Sequence, residues 1–123
     1  MGLNKDGNSI ESVKIVTRTE TLEVKAKAFI DCTGDATLCA LSGEETALYG
    51  RKIKNLTVAG RCVSVVGDKT WDITRVIPVC AVTGEAAGVI AAELAETCDI
   101  NIEKVQETLK KRDIKLHLSE CDL

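Results

Sequence analysis

Two stretches in the first quarter of the chain alternate apolar and polar residues with the two-residue period of a half-buried strand. They cover residues 12–19 and 21–30, and a tight turn near Glu20 predicts that they pair as an antiparallel hairpin. The hairpin with its flanks is predicted over residues 10–31, after a loose polar lead-in over residues 1–10. The residues predicted to face inward are Val13, Ile15, Leu22, Val24, Ala26, Ala28 and Ile30.

After the hairpin, the pattern changes to short segments joined by glycine. The continuous apolar run at residues 28–30 predicts that this end of the hairpin enters a sheet covered on both faces. Residues 32–43 predict a sharp turn at Gly34 and a short helix that Asp35 caps and Gly43 ends.

The second half of the chain predicts one strand and two helices. Residues 55–60 are a short apolar strand ending in glycine, and a loop is predicted at residues 67–72. Helical spacing is seen over about residues 83–96 and again over about residues 101–112. Strands alternating with glycine turns and helices indicate an α/β fold, predicted as one domain over residues 1–123, in which ligands bind at the carboxyl ends of strands.

The first of these helices carries Gly84 and Gly88, each of which costs about 1 kcal/mol relative to Ala in a helix interior. With the alanines that follow, they leave one stripe of the helix almost without side chains, which predicts a close approach by another group. That group could be a second membrane helix, a sheet, or a ligand at the helix N-terminus. Three glutamates interrupt the run well short of roughly 20 apolar residues, so no membrane span is predicted.

Composition and charge narrow the classes of partner. The chain has 16 basic and 19 acidic residues, and Phe29, Tyr49 and Trp71 are its only aromatic residues, so no nucleic-acid partner is predicted. Residues 51–75 depart from this balance with six basic against two acidic residues. Such a segment is typical either of a site that binds an anion or of a basic edge exposed to solvent.

The six cysteines form no CxxC pair and are accompanied by one histidine, so no metal site is predicted. Without an apolar leader at the N-terminus, we expect a cytoplasmic protein with reduced thiols. The cysteines in apolar runs are predicted to be small core residues; they are Cys32, Cys39, Cys62 and Cys80.

Three motifs carry a resemblance: "FIDCTGDATLCALSG" at 29–43, "KNLTVAGRCVS" at 54–64 and "RVIPVCAVTGEAAGVIAAELAE" at 75–96. Over roughly residues 10–116 the chain resembles the FAD-dependent oxidoreductases of the glutathione-reductase-like superfamily, in the group that carries "ATGD", "NLxVAGR" and "RxxPxCxxxGxAAG" in this order. The resemblance implies a partial FAD/NAD(P)-binding-type layered sheet with a β-hairpin and about three helices, in which residues 54–118 are the C-terminal part of the FAD-binding domain.

The resemblance also implies which residues meet the cofactor. Gly34 would let the backbone approach FAD, and the N–H groups from Gly84 to Ala87 would meet the flavin at a positive helix tip. Arg61 stands where many relatives have an acid, so its partner is open between a cofactor phosphate, a neighbouring carboxylate and solvent. The residues assigned to FAD are Thr33, Gly34, Asp35, Gly60, Arg61, Gly84, Glu85, Ala86 and Ala87. Without a ligand, the same features would be a tight turn and a helix packed closely on a sheet.

Two expected parts are missing from the sequence. Relatives hold the FAD pyrophosphate with a GxGxxG unit, whereas no two glycines here stand one residue apart. About ten residues between Gly43 and Lys54 replace a long substrate-binding segment. The sequence therefore predicts an incomplete FAD-binding domain that does not hold flavin tightly alone, completed by a chain that carries GxGxxG or by a second copy.

The alternative is a noncatalytic α/β remnant that acts as an oligomerising or interaction module. Neither hypothesis assigns a catalytic residue. Arg75, just before the "IP" turn, is the one candidate, because its charge could stabilise an anionic substrate or a reduced flavin.

Overall fold

The computed structural model describes residues 2–44 and 52–121. Its strands are β1 (Gly2–Asp6), β2 (Ser9–Val16), β3 (Thr21–Lys25), β4 (Phe29–Asp31) and β5 (Leu56–Val58). Its α-helices are α1 (Thr37–Ser42), α2 (Asp68–Thr74), α3 (Ile77–Thr97) and α4 (Ile102–Lys111), with short 3₁₀ turns at Gly60–Cys62 and Leu118–Glu120. The mixed α/β class is confirmed, with four α-helices in the described ranges where about three were predicted.

The predicted hairpin is confirmed as β2 and β3. The two strands pair antiparallel with Val13 opposite Val24 and Ile15 opposite Leu22. Thr17 closes the turn, since both its N–H and its hydroxyl donate to the carbonyl oxygen of Glu20.

The predicted loose lead-in is wrong, because its residues form β1. This strand pairs antiparallel with β2 and completes a three-stranded sheet in the order β1-β2-β3. On its polar face, the Asn4 amide donates to both Ser12 and Glu23, which links all three strands. The prediction failed because the alternation in residues 2–6 is too polar to indicate a strand.

The predicted burial of β3 is also wrong. Val24 lies opposite the buried Val13 and therefore shares its face of the sheet, but Leu22 and Val24 are each 42 % exposed and Ile15 is 39 % exposed, so this end of the apolar face has no layer over it in the described part of the chain. The alternation correctly separated the two faces but could not show how far the core extends along one of them.

The predicted second arm, residues 21–30, is divided between two sheets. β4 leaves the hairpin and pairs in parallel with β5, with Ile30 opposite Thr57. Asn55 connects the sheets, because its side chain accepts from the N–H of Ile10 and donates to the carbonyl of the same residue. Both faces of the sheet at β4 were expected to be covered. Only one of them is, because Phe29 is buried whereas Ile30, on the other face, is 39 % exposed.

The hydrophobic core lies between the antiparallel sheet, α1 and the parallel pair. Its buried members are Ile10, Val13, Phe29, Ala36, Leu38, Cys39, Ile53, Leu56 and Cys62. Gly43 ends α1 in the left-handed conformation, as predicted. Asp35 does not cap this helix; instead the Thr33 hydroxyl accepts from the N–H of Thr37.

The second half differs from prediction at two places. Residues 68–74, expected to lie mostly in a loop, form α2. Helix α3 begins at Ile77, six residues before the predicted start, with Pro78 in its first turn. Proline is favoured there because it lacks the N–H that would be unpaired.

Helix α4 lies where predicted and packs against α3. Asn101 caps it by accepting from the N–H of Lys104. Two ion pairs join the helices: Glu93 with Lys104 at 3.3 Å, and Glu85 with Arg112.

Helix α3 is long and apolar enough to cross a membrane by length and composition, the one such helix in the described ranges. Because it begins at Ile77, its first 18 residues include only two of the three glutamates. Glu93 is paired with Lys104 of α4 and Glu85 with Arg112 directly after α4, and Ala87 and Leu94 on the same helix are buried. Only 17 % of the apolar window is buried, so most of this helix is not covered by the described part of the chain.

Candidate functional site

A cavity of about 350 Å³ opens at the carboxyl ends of β4 and β5. This is the position at which ligands bind in α/β folds. The lining residues are Gly34, Asp35, Ala36, Arg61, Cys62, Val63, Ser64, Trp71 and Arg75. The cavity thus brings together parts of all three motifs, together with α2, which joins the second motif to the third.

The turn after β4 is held by one buried carboxylate, Asp31, which is 1 % exposed. Its Oδ1 accepts from the backbone N–H and the hydroxyl of Thr33, at 3.0 and 2.7 Å. Its Oδ2 accepts from the backbone N–H of Cys39 at 2.9 Å. A single side chain therefore fixes both the turn and the start of α1.

The thiol of Cys62 joins this network from the 3₁₀ turn after β5. Its sulfur accepts from the N–H of Gly34 at 3.2 Å and lies 3.7 Å from Oδ1 of Asp31. The two loops of the cavity are thereby tied to each other at the carboxyl ends of β4 and β5.

The environment of Asp31 favours its ionised form. Burial by itself raises the pKa of this carboxyl, but the hydrogen bonds donated by Thr33 and Cys39 outweigh burial and hold the pKa below its ordinary value. Burial, together with the hydrogen bond to Asp31 and its negative charge, raises the pKa of the Cys39 thiol to about 12. Burial likewise raises the pKa of Cys32. Both shifts favour the protonated thiol, which is the less nucleophilic form.

Two of the four cysteines predicted as core residues, Cys39 and Cys62, are buried. Cys80 is half-buried, and Cys32 is exposed, which corrects the prediction for that residue. All six cysteines are free. The described residues contain no cluster of histidine, cysteine or acidic groups that could hold a metal ion.

Arg61 lies directly over Gly34. A Cβ atom on this glycine would stand 2.6 Å from Nη2 of the arginine, and the φ angle of Gly34 is +85°. The predicted glycine turn is therefore present, but a side chain of the same protein occupies the space beside it.

Arg75 and Trp71 form the opposite part of the lining. The guanidinium carbon of Arg75 lies 5.0 Å from the centre of the Trp71 ring, a cation–π distance. Both side chains are exposed, and Trp71 is the only tryptophan of the chain.

The cavity carries an excess of positive charge. Arg61 and Arg75 line it against one carboxylate, Asp35. Within residues 2–44 and 52–121, neither arginine forms an ion pair, whereas Arg112, directly after α4, is paired with Glu85.

Gly60, which was also predicted to meet the cofactor, lies apart from the cavity that Gly34 lines. With a φ angle of +65° it donates its N–H to the hydroxyl of Thr83 at 3.0 Å, and Cys80 lies 3.8 Å from the position of a Cβ. Gly60 thus supports the contact between β5 and α3 and is outside the lining of the cavity.

The predicted cofactor residues on α3 lie inside the helix, because its tip is at Ile77 and not at Thr83. From Gly84 to Ala87 the N–H groups stand where the helix bonds them to carbonyls four residues earlier. The helix tip at Ile77 lies seven residues before Gly84, about 10 Å along the axis at 1.5 Å per residue.

The side of α3 near Gly84 is nevertheless open, since no atom lies within 4 Å of a Cβ built there. The same holds for Gly88. Neighbouring positions are occupied: Ala87 is buried, and Glu85 is paired with Arg112.

A second, larger groove of about 620 Å³ runs between α3 and α4. Its lining includes Gly88 and the two interhelical ion pairs. Two of its three carboxylates, those of Glu85 and Glu93, are paired with the two basic groups, and Glu96 leaves an excess of one negative charge, whereas the excess at the cavity beside Gly34 is positive.

A family model described as FAD dependent oxidoreductase matches residues 1–52 and 45–109. The chain belongs to this family. No curated protein and no solved structure matches the chain. The family agrees with the resemblance seen in the three motifs, and the matched segments include every lining residue of the cavity.

Sequence reasoning missed Trp71, Asp31 and Cys62 as members of the site. Trp71 was placed in a loop, although a tryptophan four residues before an arginine is the spacing at which side chains meet on a helix. An acid at the end of an apolar strand, directly before Thr33 and Gly34, was a signal for Asp31. Nothing in the local sequence indicates the contact of Cys62 with that turn.

Proposed function

We propose that this chain is a portion of the FAD-binding domain of a flavin-dependent oxidoreductase and that it is incomplete by itself. One observation carries the proposal: Gly34, Arg61 and Arg75, one from each motif, line a single cavity at the strand ends. Family membership supports the same conclusion.

The residues that line the cavity suit the phosphate part of FAD. The guanidinium groups of Arg61 and Arg75, which form no ion pair within residues 2–44 and 52–121, match its anionic phosphates. The cavity is at the lower end of the roughly 300–1,000 Å³ of small-molecule sites, so it takes a part of the dinucleotide. When bound, the flavin supplies the redox chemistry, and the protein supplies binding, orientation and electrostatics.

The position that we propose for the flavin ring follows from the open side of α3. In our proposal it lies against the open side of α3 at Gly84, next to Glu85, Ala86 and Ala87, without taking their N–H groups. Thr33 and Asp35 contribute from the turn beside the cavity, and Gly60 contributes by positioning α3.

The incompleteness is supported by the parallel sheet. β4 and β5 form a pair alone in the described residues, whereas parallel sheets are normally covered on both faces and have more strands. We propose that a chain carrying GxGxxG adds the missing strands; a second copy of this chain is the other possible source.

The proposal is tested by reconstitution. The chain, which we propose to be cytoplasmic and outside membranes, is purified and examined for flavin absorption, then mixed with FAD and a separately produced GxGxxG-containing βαβ unit from a flavoprotein of this family. We expect little flavin on the chain alone and flavin eluting with the two-chain complex in gel filtration. Stoichiometric flavin on the chain alone would contradict its incompleteness, and absence of flavin from the mixture would contradict its role in binding FAD.

The alternative, an interaction module without flavin, is favoured by the uncovered apolar face at Ile15, Leu22 and Val24. Sedimentation equilibrium distinguishes the two. A concentration-dependent dimer that dissociates after Leu22→Lys, together with failure of the reconstitution, would support the alternative.

A further inference from the structure

We propose that Arg61 and Arg75 form a binding site for an oxyanion group, a phosphate or a carboxylate, of a small molecule. The site is the cavity of about 350 Å³ at the carboxyl ends of β4 and β5. The inference goes beyond the proposed function, because it holds whether the oxyanion belongs to FAD or to a separate anionic substrate.

The first argument is the charge of the lining. Two guanidinium groups and one carboxylate, that of Asp35, face the cavity, which leaves an excess of one positive charge. Within the described ranges neither guanidinium has a carboxylate within 4.0 Å. An oxyanion is the ligand that would compensate this charge.

The second argument is how each guanidinium is held. Arg61 rests against Gly34, where the absence of a side chain gives it room. Arg75 lies over the ring of Trp71. A cation–π contact uses the face of the guanidinium, so its N–H donors remain available for the planar, two-bond recognition that carboxylate and phosphate favour.

The third argument is the shape of the surroundings. Ser64 adds a hydroxyl and Val63 an apolar side chain to the lining, and Trp71 forms an exposed aromatic wall. The described part of the chain thus offers donors for an anionic group beside an aromatic surface for the rest of the molecule.

The chain carries its own reporter for the test. Trp71 is the single tryptophan and lines the cavity, so its fluorescence responds to a ligand there. The full chain is titrated with sodium phosphate and with sodium succinate, and with sodium chloride at matched ionic strength. We expect a saturable change with phosphate or succinate and none with chloride.

Two variants make the test specific. Arg61→Gln removes a donor and keeps the cation–π pair of Arg75 and Trp71, and we expect the affinity to fall at least about tenfold, as for loss of a charged hydrogen bond. Lys69→Gln removes a charge from α2 outside the lining and is expected to leave the affinity within about twofold. Circular dichroism verifies that both variants are folded, and Arg75→Gln is followed by equilibrium dialysis because it alters the reporter itself.

Each outcome decides the proposal. Equal responses to phosphate, succinate and chloride, or unchanged affinity in Arg61→Gln, would overturn it. Competition between FAD and the saturating anion assigns the site to the cofactor phosphates, and simultaneous binding assigns it to a separate anionic substrate; both support the oxyanion site. Binding of the anion by the chain, together with failure of the two-chain mixture to bind FAD, would leave this inference standing and contradict the proposed function.

Discussion

The guanidinium of Arg61 lies where a side chain on Gly34 would stand, with Nη2 2.6 Å from the position of the absent Cβ. The pair joins the first motif to the second and forms part of the cavity wall. Gly34 thus serves two requirements: a φ angle of +85°, which side chains disfavour, and room for a guanidinium of the same chain.

Replacing Gly34 with alanine is expected to lower the free energy of unfolding by about 1–2 kcal/mol, measured in urea. The cost comes mainly from the positive φ angle, because the clashing atom is at the end of a flexible side chain and can move away. The displaced guanidinium should also weaken phosphate binding, although the substitution changes no charge.

Gly7→Ala is the matched control for this substitution. Gly7 has a φ angle of +54° and no atom within 4 Å of a Cβ position, so it has a similar backbone cost without the arginine. We expect Gly34→Ala and Gly7→Ala to lower the free energy of unfolding by amounts that agree within about 0.5 kcal/mol. A loss of more than about 4 kcal/mol for Gly34→Ala alone would show that Arg61 is locked in place and refute this explanation.

The glycines of α3 should respond in the opposite direction. Gly84→Ala and Gly88→Ala are each expected to stabilise the chain alone by about 0.5–1 kcal/mol, because both positions are helical and open. In our proposal the flavin ring uses the open side at Gly84, so Gly84→Ala should weaken FAD binding in the reconstituted complex. A loss of stability in the isolated chain would instead mean that another group already packs against these positions.

The elements that were predicted correctly are those specified by residues close together in the sequence. The hairpin turn, the α1 stop at Gly43 and helix α4 depend on residues close in sequence, and their patterns predicted them. The start of α3 was placed six residues too late, although Pro78, which is favoured in the first turn of a helix, was the stronger local signal.

The candidate site was predictable only in part for the same reason. Gly34, Asp35, Arg61 and Arg75 could be named from the three motifs, and the structure brings them to one cavity. Their arrangement depends on contacts across 28 residues, such as that of Cys62 with Gly34, which no local pattern contains.

Asp31→Asn should destabilise the chain by about 2–4 kcal/mol at neutral pH, because the amide places a donor among the donors that now bind the carboxylate. The pKa of Asp31 is lower in the folded state than its ordinary value of 3.8. The unfolded state therefore binds the proton first, and this stabilisation is complete above that value and is lost as the pH falls below it.

Urea unfolding between neutral and acid pH measures this effect. The wild-type stability should fall more steeply than that of Asp31→Asn below about pH 4, so that the difference between them shrinks. A difference that stays constant across this range would show that ionisation of Asp31 does not hold the turn.

Thr83→Val tests the link between β5 and α3. Valine keeps the shape but leaves the N–H of Gly60 without its acceptor, so we expect a loss of about 1–2 kcal/mol of unfolding free energy. Thr83→Ser keeps the hydroxyl and should recover most of the loss. Equal stability of the valine and serine variants would mean that the hydrogen bond contributes nothing measurable.

Equilibrium dialysis of FAD against the isolated chain and its Arg61→Gln/Arg75→Gln variant tests the central claim most directly. The account predicts weak, saturable binding, with a Kd on the order of 1 mM, that weakens at least about tenfold in the double variant and is retained in Lys69→Gln. FAD binding of equal strength in the wild type and the double variant, or no saturable binding at all, would contradict it.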